Sequence, residues 1–312
     1  MILGKVGLLS TKGISKAELL SFFRSVQNFK RRFQSSSSRE KTREKSRKES
    51  KPNDLSCVGI LAFFEPSTRT RVSFESAGLD VGIRWIHLNS TDSSLEKGES
   101  WKDTFQTLGF YNPNFFVVRH PVAFLPHFVT RWTNLPVINA GDGQNEHPTQ
   151  ALLDAYTLWE KNPSKRWTIC FYGDVARSRV ARSNIHLFRA LGHKIFLFDD
   201  SNPSTKLFAK AFKLSLIGRK KLREMDAVMA LRVQKEREGE YENSPLSTSD
   251  LGAKTLLLHP GPVILGQDIS FDLAADESER NLIQTQVKNG FYVRRCLLES
   301  MMATTFRKTR GR

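Results

Sequence analysis

One short segment of the sequence carries the residue types that bind anions. It is Pro66-Ser-Thr-Arg-Thr-Arg, which lies between an apolar run and a helical pattern. Free N–H groups at the start of a helix, together with the helix dipole, form a site for an anion. Ser67, Thr68 and Thr70 add hydroxyl donors, and Arg69 can hold two phosphate oxygens at once. The segment predicts a phosphate site, although an ordinary Ser/Thr helix cap with solvated arginines has the same local pattern.

A second set of polar residues falls further along the chain. The proline after His147 suits the first position of a helix, and His147 and Gln150 share one face of its first turn. A histidine at this place is either a helix cap or a catalytic group. Arg179 and Arg232 can each bind a carboxylate of a second substrate or form a structural ion pair.

Beyond residue 56, apolar runs typical of buried strands alternate with helical patterns, as in parallel sheets flanked by helices. The predicted strands are Cys57–Phe64, Arg84–Leu88, Phe115–Val118, Pro136–Asn139, Thr168–Tyr172, Lys194–Phe198, Ala227–Leu231 and Thr255–Leu258. The predicted helices include Pro148–Lys161, Arg179–Leu191 and Glu279–Met302. The sequence predicts an α/β fold of two lobes, each a mostly parallel sheet flanked by helices and joined by the first of these helices.

Polar side chains follow seven of these strands, at the end where open parallel sheets bind ligands. The segments are Glu65–Arg71, Ser93–Lys97, Arg119–Pro121, Gly141–Gln150, Gly173–Arg179, Arg232–Gln234 and His259–Pro262. Scattered surface polarity would not favour one edge of each sheet so consistently. We therefore expect the active site in the cleft between the two lobes.

Common metal, nucleotide and nucleophile motifs are absent from the sequence. It has no G-x-x-x-x-G-K-[ST], H-E-x-x-H, C-x-x-C or G-x-S-x-G motif, and Gly141-Asp-Gly-Gln-Asn-Glu breaks the dinucleotide pattern at its last glycine. We predict a site without metal or cofactor that works by positioning substrates and stabilising charge.

The composition is that of a folded protein. Its 312 residues suit two compact lobes, and a hydrophobic fraction of 39% excludes global disorder. Because no long apolar run and no secretion signal are visible, we expect neither a membrane span nor export. Cys57, Cys170 and Cys296 are odd in number and lack zinc-ligand spacing. They indicate buried thiols in a reducing cytoplasm.

Most of the formal net charge of +16 lies in two segments. Between Lys30 and Lys51 ten Lys and Arg face three Glu, around a low-complexity stretch at residues 34–52. Residues 307–312 add four basic side chains, which leaves +5 for the rest of the chain. These segments are either solvated or arms that bind a polyanion. The solvated interpretation is the one we adopt, so nucleic acid is not an expected partner.

Two longer motifs resemble a known family. Phe63-Phe-Glu-Pro-Ser-Thr-Arg-Thr-Arg-Val-Ser-Phe-Glu resembles the carbamoyl-phosphate signature of the aspartate and ornithine carbamoyltransferases, and His147-Pro-Thr-Gln-Ala-Leu-Leu-Asp matches their second signature. Glu65, where ornithine enzymes typically carry Lys, points to the aspartate enzymes. So do Lys97-Gly-Glu-Ser, Arg232-Val-Gln-Lys-Glu-Arg and His259-Pro-Gly-Pro. The resemblance runs from about Leu8 to Met302.

The resemblance implies how the chain is divided. Residues 1–147 would bind carbamoyl phosphate, with 34–52 as an inserted or remodelled basic segment, and residues 148–285 would bind aspartate. Residues 286–304 would form a C-terminal helix that packs back on the first domain, followed by a basic tail at 305–312.

The resemblance also implies two groups of site residues. Those implied to bind carbamoyl phosphate are Ser67, Thr68, Arg69, Thr70, Arg119, His147, Gln150, Gly261 and Pro262, with Ser93 from a neighbouring subunit. Those implied to bind aspartate are Arg179, Arg232 and Gln234, with Lys97 from a neighbouring subunit. Within the first group the implied catalytic residues are Arg69, Thr70, Arg119 and His147.

The implied reaction transfers the carbamoyl group of carbamoyl phosphate to the amino group of L-aspartate, an early step of pyrimidine synthesis. The implied assembly is a homotrimer with shared active sites, and a larger assembly with regulatory or dihydroorotase chains stays open. One departure from the family lies beside the closing loop, where Val263-Ile-Leu-Gly replaces a more polar sequence.

Three alternatives remain at this point. A transcarbamylase could act on another amine such as ornithine, although clustered arginines disfavour a cationic substrate. A basic relative could bind nucleic acid through Lys30–Lys51 and the tail. An inactive relative could be retained for assembly alone.

Overall fold

The computed structural model describes residues 3, 4, 6–35, 57–89, 99–232 and 244–309. The chain forms two compact units. The first consists of Met1–Leu9, Ala17–Gly143 and Gly290–Arg312, and the second of Ser10–Lys16 and Gln144–Asn289. Each unit contains one parallel sheet and helices, so the predicted α/β fold with two mostly parallel sheets is confirmed.

The first unit alternates strands and helices. They are β1 (Gly7–Leu8), α1 (Lys16–Ser35), β2 (Val58–Phe63), α2 (Thr68–Asp80), β3 (Arg84–Asn89), α3 (Trp101–Phe110), β4 (Phe115–His120), α4 (Leu125–Thr133) and β5 (Val137–Asp142). The strand order is β1-β5-β4-β2-β3, and every neighbouring pair is parallel. The strands β2, β4 and β5 are almost fully buried, as expected for the centre of a parallel sheet.

The second unit repeats this arrangement. Its elements are α5 (Pro148–Lys161), β6 (Thr168–Tyr172), α6 (Arg179–Leu191), β7 (Lys194–Phe198), α7 (Pro203–Phe212), β8 (Ser215–Ile217), β9 (Ala227–Ala230), β10 (Leu256–Leu258), α8 (Phe271–Ala274) and the start of α9 (Ile283–Thr309), with short 3-10 helices at Arg219–Glu224 and Thr248–Asp250. The strand order is β10-β9-β6-β7-β8, again with parallel pairs. Because all strands of a sheet run the same way, their carboxyl ends share one edge.

All eight predicted strands are present, and the helices Pro148–Lys161 and Arg179–Leu191 have the predicted bounds. Two strands were missed, β1 with two residues and β8 with three. Each is too short to show an apolar pattern and exists because it pairs with β5 or β7. The last helix begins at Ile283 and ends at Thr309, later than the pattern Glu279–Met302 predicted.

The segment Ser10–Lys16 belongs to the second unit, although the sequence placed residues 1–147 in one domain. One link to that unit is Glu146, which accepts hydrogen bonds from Thr11 N at 2.7 Å and from Thr11 Oγ1 at 2.6 Å. Thr11 Oγ1 also lies 3.1 Å from Ser183 O, and both partners belong to Gln144–Asn289 of the second unit. A contact between residues so far apart in sequence leaves no local pattern.

The helix α9 belongs partly to each unit, whereas we predicted one helix, 286–304, packed on the first domain. In the second unit, Asn289 Nδ2 donates to Thr157 Oγ1 at 3.0 Å. In the first unit, Arg294 Nη1 donates to Ser73 Oγ at 3.0 Å. Most of the predicted segment 34–52 lies outside the described residues, as do residues 310–312 of the predicted tail 305–312.

Two glycines of the first unit make room for Trp85. A Cβ atom at Gly59 would lie 2.5 Å from the ring atom Cζ3, and one at Gly78 would lie 2.2 Å from Nε1. The indole packs edge to face against Phe115, with ring centroids 5.8 Å apart. The strand β2 and the helix α2 can enclose this ring only because both positions lack a side chain.

The three cysteines are free and buried, which confirms the prediction of buried thiols. Burial raises the pKa of the Cys57 and Cys296 thiols to about 11 and raises the pKa of Cys170 further. All three are therefore protonated and unreactive near neutral pH. Among the residues that the structure describes, no helix is both long and apolar enough to cross a membrane.

Candidate active site

The turn between β2 and α2 has the backbone of an anion site. Ser67 occupies the position before the helix, and Arg71 N donates to Ser67 O at 3.1 Å. The N–H groups of Thr68, Arg69 and Thr70 precede this bond and therefore have no partner within the helix. The Ser67 side chain makes no capping hydrogen bond. An ordinary serine cap is thus not what the structure shows, and the three N–H groups can bind an anion.

The side chains of this turn differ in exposure. Thr68 and Arg69 are exposed, Ser67 is half-buried, and Thr70 is buried. No carboxylate of the described residues forms an ion pair with Arg69. Arg69 is therefore able to bind an anion at the helix start without breaking a contact of the fold.

Arg119 lies beside this turn within the same unit. It is the next-to-last residue of β4, where it pairs in register with Phe63 of β2. Its Nη2 donates to Glu65 Oε1 at 2.8 Å, and its Nη1 donates to Ala140 O at 3.3 Å. These bonds hold a nearly buried guanidinium at the carboxyl edge of the sheet. The residue Glu65, which the sequence singled out for the family branch, thus acts on a predicted site residue.

His120 is a buried group near the site that the sequence did not single out. Its Nδ1 accepts a hydrogen bond from Val122 N at 2.9 Å, and its ring packs against Trp101 with centroids 4.4 Å apart. Burial lowers the pKa of His120 from 6.5 to about 4. The imidazole is therefore neutral at physiological pH, and its contact with Trp101 holds the residue next to Arg119 in place.

His147 is the first predicted site residue, in chain order, that lies in the second unit. It occupies the position before α5, but its side chain makes no capping hydrogen bond. Its backbone N donates to Ser183 Oγ at 2.7 Å, and Ser183 Oγ donates to Arg179 O at 3.0 Å. Of the two roles considered for His147, the structure thus excludes side-chain capping. These bonds also join the starts of α5 and α6.

Gln150 lies in the first turn of α5 and is buried. Its Nε2 donates to Asp154 Oδ1 at 2.9 Å. The sequence analysis missed Asp154, although its spacing of four residues from Gln150 on one helix is a visible signal.

Arg179 and Arg232 follow neighbouring strands of one sheet. Arg179 begins α6 after β6 and is buried, while Arg232 comes two residues after β9 and is half-buried. The strands β6 and β9 pair directly, and Leu231 N donates to Tyr172 O at 2.8 Å. Both residues therefore follow the carboxyl ends of two paired strands.

The predicted closing loop follows β10 of the same sheet. Gly261 has a φ of +70°, which favours glycine, and its N donates to His259 Nδ1 at 2.9 Å. Asp268 Oδ2 lies 3.2 Å from His259 Nε2 and accepts from Ile264 N at 2.8 Å. The backbone and two buried side chains thus hold the loop that contains Pro262. The apolar side chain at Ile264 takes no part in these bonds, so the departure from the family pattern leaves them intact.

Three predicted site residues, Ser93, Lys97 and Gln234, lie outside the described residues. In the described part of the chain, no three His, Cys, Asp or Glu side chains are placed to hold a metal ion. The groups placed at the sheet edges are guanidinium, hydroxyl, amide and backbone N–H donors. Such donors can bind anions and stabilise negative charge on a carbonyl oxygen.

Comparisons with known proteins agree with this donor set. Residues 7–160 match the family profile described as aspartate/ornithine carbamoyltransferase, carbamoyl-P binding domain. An aspartate carbamoyltransferase catalytic subunit of Solibacter usitatus is 39% identical over 77% of this chain and 84% of its own. One from Natranaerobius thermophilus is 37% identical, and the match covers 96% of each chain.

A solved structure has the same fold. The aspartate transcarbamoylase of Trypanosoma cruzi, in complex with carbamoyl aspartate and phosphate, matches with a TM-score of 0.73 and 25% identity. The match covers 96% of this chain and 98% of that one. The resemblance found in the two signature motifs is thereby confirmed. The chain belongs to the aspartate/ornithine carbamoyltransferase family, and its sequence relatives there are aspartate carbamoyltransferase catalytic subunits.

Proposed function

We propose that this chain transfers the carbamoyl group of carbamoyl phosphate to the amino group of L-aspartate, giving N-carbamoyl-L-aspartate and phosphate. The turn between β2 and α2 carries this proposal. Its three unpaired N–H groups and the exposed Arg69 lie in the segment that matches the carbamoyl-P binding profile. The product is a precursor of pyrimidines, and the reaction belongs to that synthesis.

In this proposal, the carbonyl group of carbamoyl phosphate is bound and polarised by Thr70, Arg119 and His147. Negative charge develops on the carbonyl oxygen during attack, and each well-aimed donor stabilises it by about 3–4 kcal/mol. The Glu65 contact supports this role for Arg119, because it fixes the direction of the guanidinium. Gln150 and the backbone of Gly261 and Pro262 are assigned to the carbamoyl amine.

Aspartate is bound, in this proposal, by Arg179, Arg232 and Gln234, together with Lys97 of a neighbouring subunit. Two arginines at adjacent strand ends suit two carboxylates and disfavour a cationic amine such as ornithine. In the reaction, the uncharged amine nitrogen bonds to the carbonyl carbon and loses a proton. The bond between that carbon and the phosphate oxygen breaks, and phosphate leaves. Holding both substrates in attack geometry contributes about 7–11 kcal/mol in well-aligned systems.

The assembly is assigned as a homotrimer in which Ser93 and Lys97 complete a neighbouring subunit's site, without a cofactor. Association with regulatory or dihydroorotase chains extends this proposal. The cytoplasm is the assigned compartment, and three free, buried cysteines support it. Light scattering of the purified chain measures its mass in solution, and a monomer would contradict the trimer.

Phosphate release tests the proposed function directly. The purified chain is mixed with carbamoyl phosphate alone, with added L-aspartate, or with added L-ornithine. We expect phosphate release only with L-aspartate, matched by an equal amount of ureido product in a colorimetric assay. Release that depends on ornithine would identify the other branch of the family, and no dependence on either amine would refute transfer.

A further inference from the structure

Asp154 lies at the centre of a buried hydrogen-bond network in the second unit. Its side chain is fully buried on α5, one turn after Gln150. Its Oδ1 accepts from Gln150 Nε2 at 2.9 Å and from Gln286 Nε2 at 2.7 Å. Its Oδ2 accepts from Asn184 Nδ2 at 2.8 Å. Side-chain amides from the three helices α5, α6 and α9 thus converge on one carboxylate.

Both oxygens of Asp154 accept hydrogen bonds from amide nitrogens, so this side chain determines which way each amide faces. A carboxamide carries its two donors on nitrogen and its acceptor on oxygen. Since Asp154 binds the nitrogen of Gln150, the Oε1 of Gln150 is directed away from the carboxylate. No described group donates to that oxygen. Gln150 therefore offers an acceptor to a ligand.

Asn184 shows that the carboxylate decides the orientation of these amides. Its Nδ2 donates to Asp154 and to Val180 O at 3.1 Å, while its buried Oδ1 has no donor among the described residues. A buried acceptor without a donor is unfavourable. The amide nevertheless keeps its nitrogen toward Asp154, where only a donor fits.

Gln286 connects Asp154 to the loop after β10 by a second hydrogen bond. Because its nitrogen binds Asp154, its Oε1 is free to accept from His259 N at 2.9 Å. His259 Nδ1 in turn accepts from Gly261 N at 2.9 Å. One carboxylate therefore orients both Gln150 and the residue that holds the turn at Gly261.

We propose that Asp154 is a positioning residue for carbamoyl-phosphate recognition, which directs the oxygen of Gln150 and the turn at Gly261 and Pro262 to accept hydrogen bonds from the carbamoyl amine. This inference rests on the proposed function, which assigns those groups to the amine. It predicts that Asp154 acts on one end of the ligand only.

Acetyl phosphate isolates that end of the ligand. It has a methyl group in place of the amine and cannot donate to Gln150. The measured quantity is the Kd of acetyl phosphate divided by the Kd of carbamoyl phosphate, from calorimetry on the full chain. We expect Asp154→Ala to lower this ratio about tenfold, because carbamoyl phosphate loses an oriented acceptor. The Kd of acetyl phosphate should stay within about threefold.

Asp154→Asn is the conservative variant. Its oxygen can still accept from Gln150 and Gln286, while its new amide nitrogen faces Asn184, which can turn its unpaired Oδ1 toward it. We expect the ratio to stay within about threefold of the unsubstituted chain. Glu160→Gln is the matched control, since this carboxylate also lies on α5 and accepts from Asn289 Nδ2 of α9 at 3.1 Å, without a bond to Gln150. It should leave the ratio unchanged.

Equal weakening of both ligands in Asp154→Ala would show a merely structural role and overturn the inference. If Asp154→Ala does not fold, Asp154→Asn provides the test. A ratio of the two Kd values that stays within about threefold in Asp154→Asn supports the inference. A ratio that falls about tenfold in the folded Asp154→Asn protein overturns it, because the Asn oxygen still accepts from Gln150. An unsubstituted chain that binds both ligands equally would overturn the assignment of Gln150 as well. A chain that discriminates while Asp154→Ala discriminates equally well overturns the inference alone.

Discussion

Arg69 can be removed without removing a contact of the fold. It is exposed and has no ion pair within the described part of the chain. We expect Arg69→Ala to lower kcat/KM about 10²–10³-fold, because the phosphate and the developing charge lose a guanidinium. The melting temperature should stay within about 2 °C. Steady-state kinetics and a thermal melt of the same preparation measure both quantities.

Arg71→Ala is the matched control for Arg69. Arg71 lies on the same helix, where its Nε is 3.5 Å from Glu75 Oε1 in a partly exposed pair. Partly exposed ion pairs contribute little to the stability of the fold. Since Arg71 is assigned to neither substrate, activity should change less than about threefold. Near-normal activity in Arg69→Ala, or an equal loss in both variants, would contradict the phosphate site.

Single residues differ in how far the sequence reveals their roles. Residues 67–70 form a local motif, and their helix start could be predicted from the sequence alone. Asp154 could not be assigned in the same way. Its partners Asn184 and Gln286 are 30 and 132 positions away, and only the fold brings their amides together.

Thr11 attaches the segment Ser10–Lys16 to the rest of the second unit. Its hydroxyl and its backbone N both donate to Glu146, which is buried. Thr11→Val keeps the shape but removes one donor from a buried carboxylate. We expect the free energy of unfolding to fall by about 2–3 kcal/mol, measured by urea denaturation.

Thr11→Ser is the control for the hydroxyl. It retains the donor to Glu146 and loses one methyl group, so its unfolding free energy should fall by about 1 kcal/mol. A Thr11→Val protein as stable as Thr11→Ser would show that the hydroxyl does not hold the segment.

Elements with their own pattern were predictable, and elements made by pairing were not. The buried strand β4 and the amphipathic helix α6 each have a continuous signal in the sequence. The strand β8 has only three residues and depends on β7 for its hydrogen bonds. The last turns of α9, up to Thr309, are rich in polar residues and have no apolar period that would mark where the helix ends.

At the scale of the whole molecule, two histidines make stability depend on pH. The pKa of His120 and the pKa of His193 are each lowered from 6.5 to about 4, chiefly by burial. The unfolded chain binds these protons near pH 6.5 and the folded chain only near pH 4. The neutral histidines thus stabilise the fold fully above pH 6.5, and this contribution falls as the pH approaches 4. We expect the urea midpoint to decrease over that interval.

His120→Asn measures how much of this pH dependence of stability is due to His120. The Asn oxygen can still accept from Val122 N, but it cannot take up a proton. The plot of unfolding free energy against pH should therefore be flatter than for the unsubstituted chain. An unchanged slope in His120→Asn would refute the role of His120.

The strict alternation of strands and helices was enough to predict two parallel sheets and the edge that bears the polar residues. The placement of Ser10–Lys16 and the division of α9 between units could not be predicted, because each depends on side-chain contacts between distant segments. Local periodicity thus determines the fold class, and long-range bonds determine where each unit begins and ends.

The pocket around Trp85 also constrains how this sequence can diverge. A methyl group at either Gly59 or Gly78 would overlap the indole, so neither glycine can mutate first without a clash. A smaller ring or an aliphatic residue at position 85 must come earlier in the lineage. The order of substitution at positions 78 and 85 is therefore set by sterics, and homologues with a side chain at 78 should carry a smaller residue at 85. A side chain at position 59 also needs a smaller residue at position 115, because its Cβ would lie 2.8 Å from Phe115 Cζ.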